Sequence, residues 1–162
     1  MVGGDMSRQE QPEPELVLVD ATPTVVVAGV VEEGEIRDHF DRSFALLAAV
    51  MGEQGLAPTG PAFALYRRPP GATLDLEVGF TIDGDVDPTS EVRSGSLPAG
   101  RAARVIHRGS FDHLAESWER LRTWIDGHGL TPIGPLWETY LTEPTPDADP
   151  DDMRTELSWL VD

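Results

Sequence analysis

One carboxylate stands among aromatic residues in the segment Pro135-Leu136-Trp137-Glu138-Thr139-Tyr140-Leu141. Strand alternation puts Leu136, Glu138 and Tyr140 on one face of it, and Trp137, Thr139 and Leu141 on the other. A carboxylate enclosed by rings binds organic cations, through charge pairing and through attraction of the cation to the ring faces. Enclosed without an arginine, the same group has its pKa raised, which suits proton transfer. The rings available nearby are Trp118, Trp137, Trp159, Phe63, Tyr66 and Tyr140, with Trp124 and Phe80 further back. Helical spacing directs Trp118 and Trp124 toward the core. Two chemistries are open at Glu138: recognition of a lipophilic ligand, cationic or aromatic, and acid–base catalysis assisted by Tyr140 or Tyr66. The plain alternative is an exposed strand residue paired with an arginine.

The elements that position Glu138 occur twice. Gly55-Leu56-Ala57-Pro58-Thr59-Gly60-Pro61-Ala62-Phe63-Ala64-Leu65-Tyr66 returns as Gly129-Leu130-Thr131-Pro132-Ile133-Gly134-Pro135-Leu136-Trp137-Glu138-Thr139-Tyr140, at a constant offset (129 − 55 = 74). An internal repeat of this kind governs the fold. Tyr66 answers Tyr140 and Phe63 answers Trp137, but Ala64 answers Glu138. Ala62 and Ala64 leave room on the face where Glu138 supplies charge, and a pseudo-twofold would set the two tyrosines about a shared concavity.

Around each copy the order is strand, helix, strand, strand. In the first half, β-branched runs predict strands at Leu16–Val19 and Thr24–Val31. Thr22-Pro23 between them marks a bulge or an edge, because proline cannot donate to a ladder. A helix follows over Gly34–Gln54, with Ile36, Phe40, Phe44, Leu47 and Met51 on one face and Gly55 as its left-handed cap. Strands at Ala62–Arg67 and Thr73–Ile82 flank a turn at Arg68–Gly71. Residues 83–98, rich in Gly, Pro, Ser and Asp, read as the connection between halves. The second half predicts a strand at Gly100–His107 and a helix at Phe111–Gly127. Strands at Leu136–Leu141 and Arg154–Val161 follow, joined by an acidic loop. Hairpins after each helix favour antiparallel pairing with both helices on one face. The fold class is α+β, a duplicated strand–helix–strand–strand module with a pseudo-twofold ligand cleft. Residues 1–14 read as a disordered leader, and 15–162 as one domain of two repeats, about 15–83 and 97–162.

Composition narrows the function. The chain has 162 residues and a net charge of −17, from 29 acidic and 12 basic residues. Every basic residue is Arg. Such a field repels phosphate backbones, which argues against direct nucleic-acid binding. Without cysteine there is neither a disulfide scaffold nor a thiolate site. No signal peptide or bilayer-length apolar run is present, so a cytoplasmic protein off the membrane is expected. No cofactor is expected, because no phosphate-cradling glycine loop precedes a helix.

Other motifs carry less. His39, His107, His113 and His128 lack metal-ligand spacing, and no metal is expected. His39 and His113 are repeat-equivalent, which predicts a shared structural role at the helix starts. Asp147–Asp152 resembles a calcium loop in charge alone, lacking the turn glycine and the terminal glutamate. No serine sits in a nucleophile elbow.

Together, Pro135–Leu141, the acidic loop, Arg154-Thr155-Glu156-Leu157, and Gly109-Ser110-Phe111-Asp112-His113-Leu114 with Trp118, Leu121 and Trp124 resemble the GyrI-like effector-binding domains over about residues 16–162. The resemblance implies a tandem of SHS2-like modules with a ligand cleft between them. It implies a buried glutamate that recognises lipophilic cations in multidrug-sensing members, at Glu138, with Tyr140 beside it. The ligand-binding set expected from all of this is Glu138, Tyr140, Tyr66, Trp137, Phe63, Ala64, Trp118 and Trp159. Some stand-alone members are hydrolases of cyclopropane-bearing toxins, in which case Glu138 and Tyr140 would be catalytic. The name-giving member inhibits gyrase, which makes a protein-interaction module the third reading. Many relatives carry a helix-turn-helix module, for which the residues ahead of the first strand leave no room. The expected partner is a small molecule in drug or toxin sensing or resistance, with a protein partner as the alternative, and the chain is a monomer or homodimer.

Overall fold

A computed structural model describes residues 12–68, 73–89, 91–110, 113–142 and 149–162. The leader, the turn at Arg68–Gly71 and the acidic loop, with the start of its Asp147–Asp152 segment, therefore lie largely outside the described residues, as do Phe111 and Asp112. In chain order the elements are β1 (Glu15–Val19), β2 (Thr22–Glu32), α1 (Ile36–Gln54), β3 (Phe63–Tyr66), β4 (Thr73–Thr81), β5 (Arg93–Leu97), β6 (Gly100–Arg108), α2 (Leu114–Gly127), β7 (Pro132–Tyr140) and β8 (Arg154–Val161). Short 3₁₀ turns precede α1 (Glu33–Glu35) and β8 (Pro150–Asp152). Gly55 and Gly129 have φ of +67° and +72°, the left-handed geometry that ends both helices.

All eight strands form one antiparallel sheet in the order β1-β6-β8-β7-β3-β4-β2-β5. The order is a palindrome of the two repeats. β6-β8-β7 from the second mirrors β2-β4-β3 from the first, and the halves join where β3 meets β7. The outermost strands are exchanged: β1 precedes β2 in sequence but pairs with β6, and β5 precedes β6 but pairs with β2. In the β3–β7 register Ala64 lies opposite Glu138, with Phe63 opposite Thr139 and Leu65 opposite Trp137. Ala64 and Glu138 are also repeat-equivalent, so the pseudo-twofold axis passes through this pair.

Both helices cover one face. Leu121 and Ile125 of α2 are fully buried in the main core cluster with Leu76, Val78, Ala103, Val105, Leu136, Leu157 and Trp159, and Ile36, Phe40 and Phe44 of α1 pack against it. Full burial of a side chain of this size contributes roughly 1.5–3 kcal/mol. Val25, Val27, Leu47, Val50 and Met51 extend the packing of α1. Among the described residues the other face has no helix. There Val26, Phe63, Leu65, Ala102 and Trp137 form a separate cluster, joined by Val17 and Val19 of β1 and by Leu97 of β5. Residues from opposite edges of the sheet meet in that cluster, so the sheet curls into a half-barrel with this face inside. Gly79 permits the close approach of β4 to β2, since a Cβ there would land on the Val25 carbonyl oxygen.

Three expectations change. Residues 83–98 are not all connection: β5 runs through them as the edge partner of β2. Strand β7 begins at Pro132, ahead of the expected Leu136, with an irregular register between the two. The repeat-equivalent histidines do not share a role. His39 is buried, its Nε2 3.4 Å from Ser43 Oγ, whereas His113 is exposed and its Nδ1 lies 2.9 Å from Glu116 Oε2. The recurring feature is instead a buried helix serine, Ser43 or Ser117, facing a buried histidine. For Ser117 that histidine is His107 of β6, with Nδ1 to Oγ at 2.6 Å. Pro23 lies beyond the β4 ladder, and its carbonyl accepts the Ile82 N–H.

Candidate functional site

Strand β7 carries Glu138 to the helical face, on the axis, where Ala64 across the ladder leaves space. Its side chain is 7% exposed. Two hydrogen bonds converge on it. Trp118 Nε1 of α2 donates to Oε2 at 2.9 Å, and the Tyr140 hydroxyl donates to Oε1 at 2.9 Å. Tyr66 of β3, the twofold mate of Tyr140, lies close enough for its phenol and the Glu138 carboxyl to shift one another's pKa. Symmetry thus aims two phenols at a carboxyl that only one repeat possesses. No cation pairs with Glu138 among the described residues.

The electrostatics follow from that enclosure. Burial pushes the Glu138 carboxyl above its ordinary pKa, against the opposing pull of Trp118, Tyr140 and Tyr66. Burial, and then the Glu138 charge, push both phenols up, so they remain donors. A carboxylate can only accept and an indole N–H can only donate, so the donor set fits the ionised form.

The surrounding rings extend outward from this group. Trp118 meets Trp159 edge to face at 5.9 Å, and Phe40 meets Tyr140 at 6.3 Å. The Arg122 guanidinium lies 5.7 Å from the Trp159 ring centre. Trp118 and Trp124 are half-buried at the margin of the core.

The residues singled out from sequence therefore divide. Glu138, Tyr140, Tyr66, Ala64, Trp118 and Trp159 come together on the helical face. Phe63 and Trp137 do not: they lie in the concave cluster, because neighbours along a strand point to opposite faces. Two further residues join the site. Phe40 comes from α1, its spacing having marked it only as core. Thr155 lies directly across the ladder from Tyr140, and its buried Oγ1 has no hydrogen-bond partner among the described residues. Its place in Arg154-Thr155-Glu156 after the long hairpin was its only sequence signal. Among the described residues no group of His, Asp or Glu could hold a metal, and no helix is long and apolar enough to cross a membrane.

The model of the GyrI-like small molecule binding domain family matches residues 12–162. Among solved structures, the chain is similar to the EcmrR C-terminal domain, at 18% identity and a TM-score of 0.82 over 93% of this chain and 97% of that one. In the EcmrR–DNA complex the match has 19% identity and a TM-score of 0.82, covering 92% of this chain but 57% of that one. SAV2435, solved bound to tetraphenylphosphonium, matches at 13% identity and a TM-score of 0.68 over 93% and 94% of the two chains. A hydrolase from Listeria innocua matches at 18% identity and a TM-score of 0.64 over 98% and 96%. At these identities the structural matches speak to the fold alone.

Proposed function

The chain belongs to the GyrI-like small molecule binding domain family, and from that premise we propose that it holds a lipophilic cation against Glu138 in drug or toxin sensing or resistance. The observation that carries this is a buried carboxyl on the twofold axis with two aromatic donors, a second phenol beside it and, among the described residues, no countercharge. A site organised for an anion yet lacking a cation is completed by a ligand that brings one. Rings of Phe40, Trp118, Trp159 and Tyr140 offer apolar and π surface to its substituents. Because Trp118 donates directly to Glu138, a ligand reaches the carboxylate by displacing that indole, and with it the first turns of α2. The likeness to a tetraphenylphosphonium-bound structure agrees with this reading.

The test is calorimetric titration with tetraphenylphosphonium and with neutral triphenylphosphine oxide. The account expects saturable binding of the cation and at least about tenfold weaker binding of the oxide, about 1.4 kcal/mol. Equal affinities would remove charge as the basis of recognition.

A second reading has one observation in its favour. The 2.9 Å contact between Tyr140 and Glu138 is suited to passing a proton, with Thr155 Oγ1 free to orient a substrate. Glu138 as general base and Tyr140 as donor would then hydrolyse a strained electrophile such as a cyclopropane-bearing alkylator. Mass-spectrometric product analysis that finds no turnover above buffer across several such compounds would end this reading.

A further inference from the structure

The concave face of the half-barrel carries a half-open groove of about 320 Å³, on the opposite side of the sheet from Glu138. That volume lies at the small end of the roughly 300–1,000 Å³ range of ligand pockets. Trp137, 3% exposed, forms its floor, while Val19 of β1 and Leu97 of β5 close in from the two edges of the sheet. Arg104 and Glu156 stand side by side in the wall, only 27% and 22% exposed, with Arg104 Nε 3.4 Å from Glu156 Oε1. Asp20 completes the polar rim.

Arg104 is only partly used by the protein. Its Nε reaches Ser158 Oγ at 3.3 Å, and the terminal Nη1 and Nη2 make no hydrogen bond to another described residue. That unengaged fork is the geometry that grips a carboxylate through two parallel bonds. A free anion fits poorly, however, in a wall that also carries Glu156 and Asp20 on a protein of net charge −17. A ligand with both charges meets neither objection. Its own neighbouring positive and negative groups would lie against the Glu156–Arg104 pair in reversed order.

We propose that this groove is a second small-molecule site, for a zwitterion with adjacent charges and an apolar body, the simplest case being an amino acid with an aromatic side chain. Its carboxylate lies on the Arg104 fork, its ammonium on Glu156 and Asp20, and its side chain on Trp137 between Val19 and Leu97. The site is independent of whatever Glu138 binds.

L-phenylalanine is the probe, titrated while backbone amide shifts are followed by NMR. Phenethylamine lacks the carboxylate and 3-phenylpropionate lacks the ammonium. The proposal expects saturable L-phenylalanine binding with shifts centred on Arg104, Trp137 and Glu156, and each analogue at least about tenfold weaker. Arg104→Gln weakens L-phenylalanine by about tenfold or more, and Arg104→Lys, which keeps the charge but loses the fork, falls between. Absent saturation, shifts centred on Trp118 and Glu138, or equal binding of either analogue would each overturn the proposal. The shift map and the analogue series use the unaltered protein, so they decide the matter even if an Arg104 variant does not fold.

Discussion

Replacing Glu138 with glutamine should stabilise the protein at alkaline pH and leave it unchanged near pH 4. Ionising a buried carboxyl costs several kcal/mol. The hydrogen bonds to the charged form from Trp118 and Tyr140, worth about 1.5–3 kcal/mol each, return part of that. The raised pKa of Glu138 shows that burial prevails over the bonds. Incompletely compensated polar burial costs about 1–3 kcal/mol in proteins generally, and the low end of that range, about 1–2 kcal/mol, sets the scale of the test. Glutamine removes the charge at nearly constant shape; its oxygen still accepts from Trp118, and its amide donates to a tyrosine oxygen. The sign follows from proton linkage. With the folded pKa above the unfolded one, the folded chain holds a proton that the unfolded chain has released. Stability from this group is therefore complete below the unfolded value and is lost as pH rises through the folded one. In thermal melts the variant should exceed the parent by roughly 2–8 °C at pH 8, the difference closing toward pH 4. Comparing the two proteins at each pH cancels the other 28 acidic groups (29 − 1 = 28). A difference that is constant with pH, or a less stable variant at pH 8, would refute the reasoning.

Three other substitutions test neighbouring parts of the account. Trp118→Phe keeps the ring contact with Trp159 but removes the donor to Glu138 Oε2, and should cost about 1–3 kcal/mol at pH 8 by urea denaturation, less at pH 4. Ala64→Glu places a second carboxylate across the ladder on the axis. At a Cβ separation of about 5 Å the repulsion raises both pKa values, so stability should fall as pH rises and recover on acidification, read by the same denaturation series. Gly79→Ala drives a methyl into the Val25 carbonyl. It should destabilise by at least about 3 kcal/mol, the upper range for forced overpacking, seen as loss of the cooperative melt.

The duplication was legible because its two copies keep Gly, Leu, Pro, Gly, Pro and Tyr at fixed places. Strand alternation after those anchors was enough to put Glu138, Tyr140 and Tyr66 on one face. Sequence could not show that the axis runs through Ala64 and Glu138, because register is settled by packing of both faces. Strand β5 was hidden by composition: Arg93-Ser94-Gly95-Ser96-Leu97 has almost no β propensity. It is a strand because the exposed edge of β2 recruits it, as the edge of β6 recruits β1. Phe63 and Trp137 drew attention as aromatics beside the key carboxylate, yet adjacency along a strand means opposite faces. Phe40 reaches the site through tertiary packing, from a helix remote in sequence, and Thr155 through the register of the β7–β8 hairpin, which its long loop left open.

Whether Glu138 is the charge that a lipophilic cation meets is decided by titrating tetraphenylphosphonium into the parent, Glu138→Gln, and Glu119→Gln, which removes one charge from the exposed side of α2. Affinity should fall by about 10- to 100-fold, about 1.4–2.8 kcal/mol, for Glu138→Gln alone. Affinity that is unchanged in Glu138→Gln, or reduced equally in both variants, would contradict it.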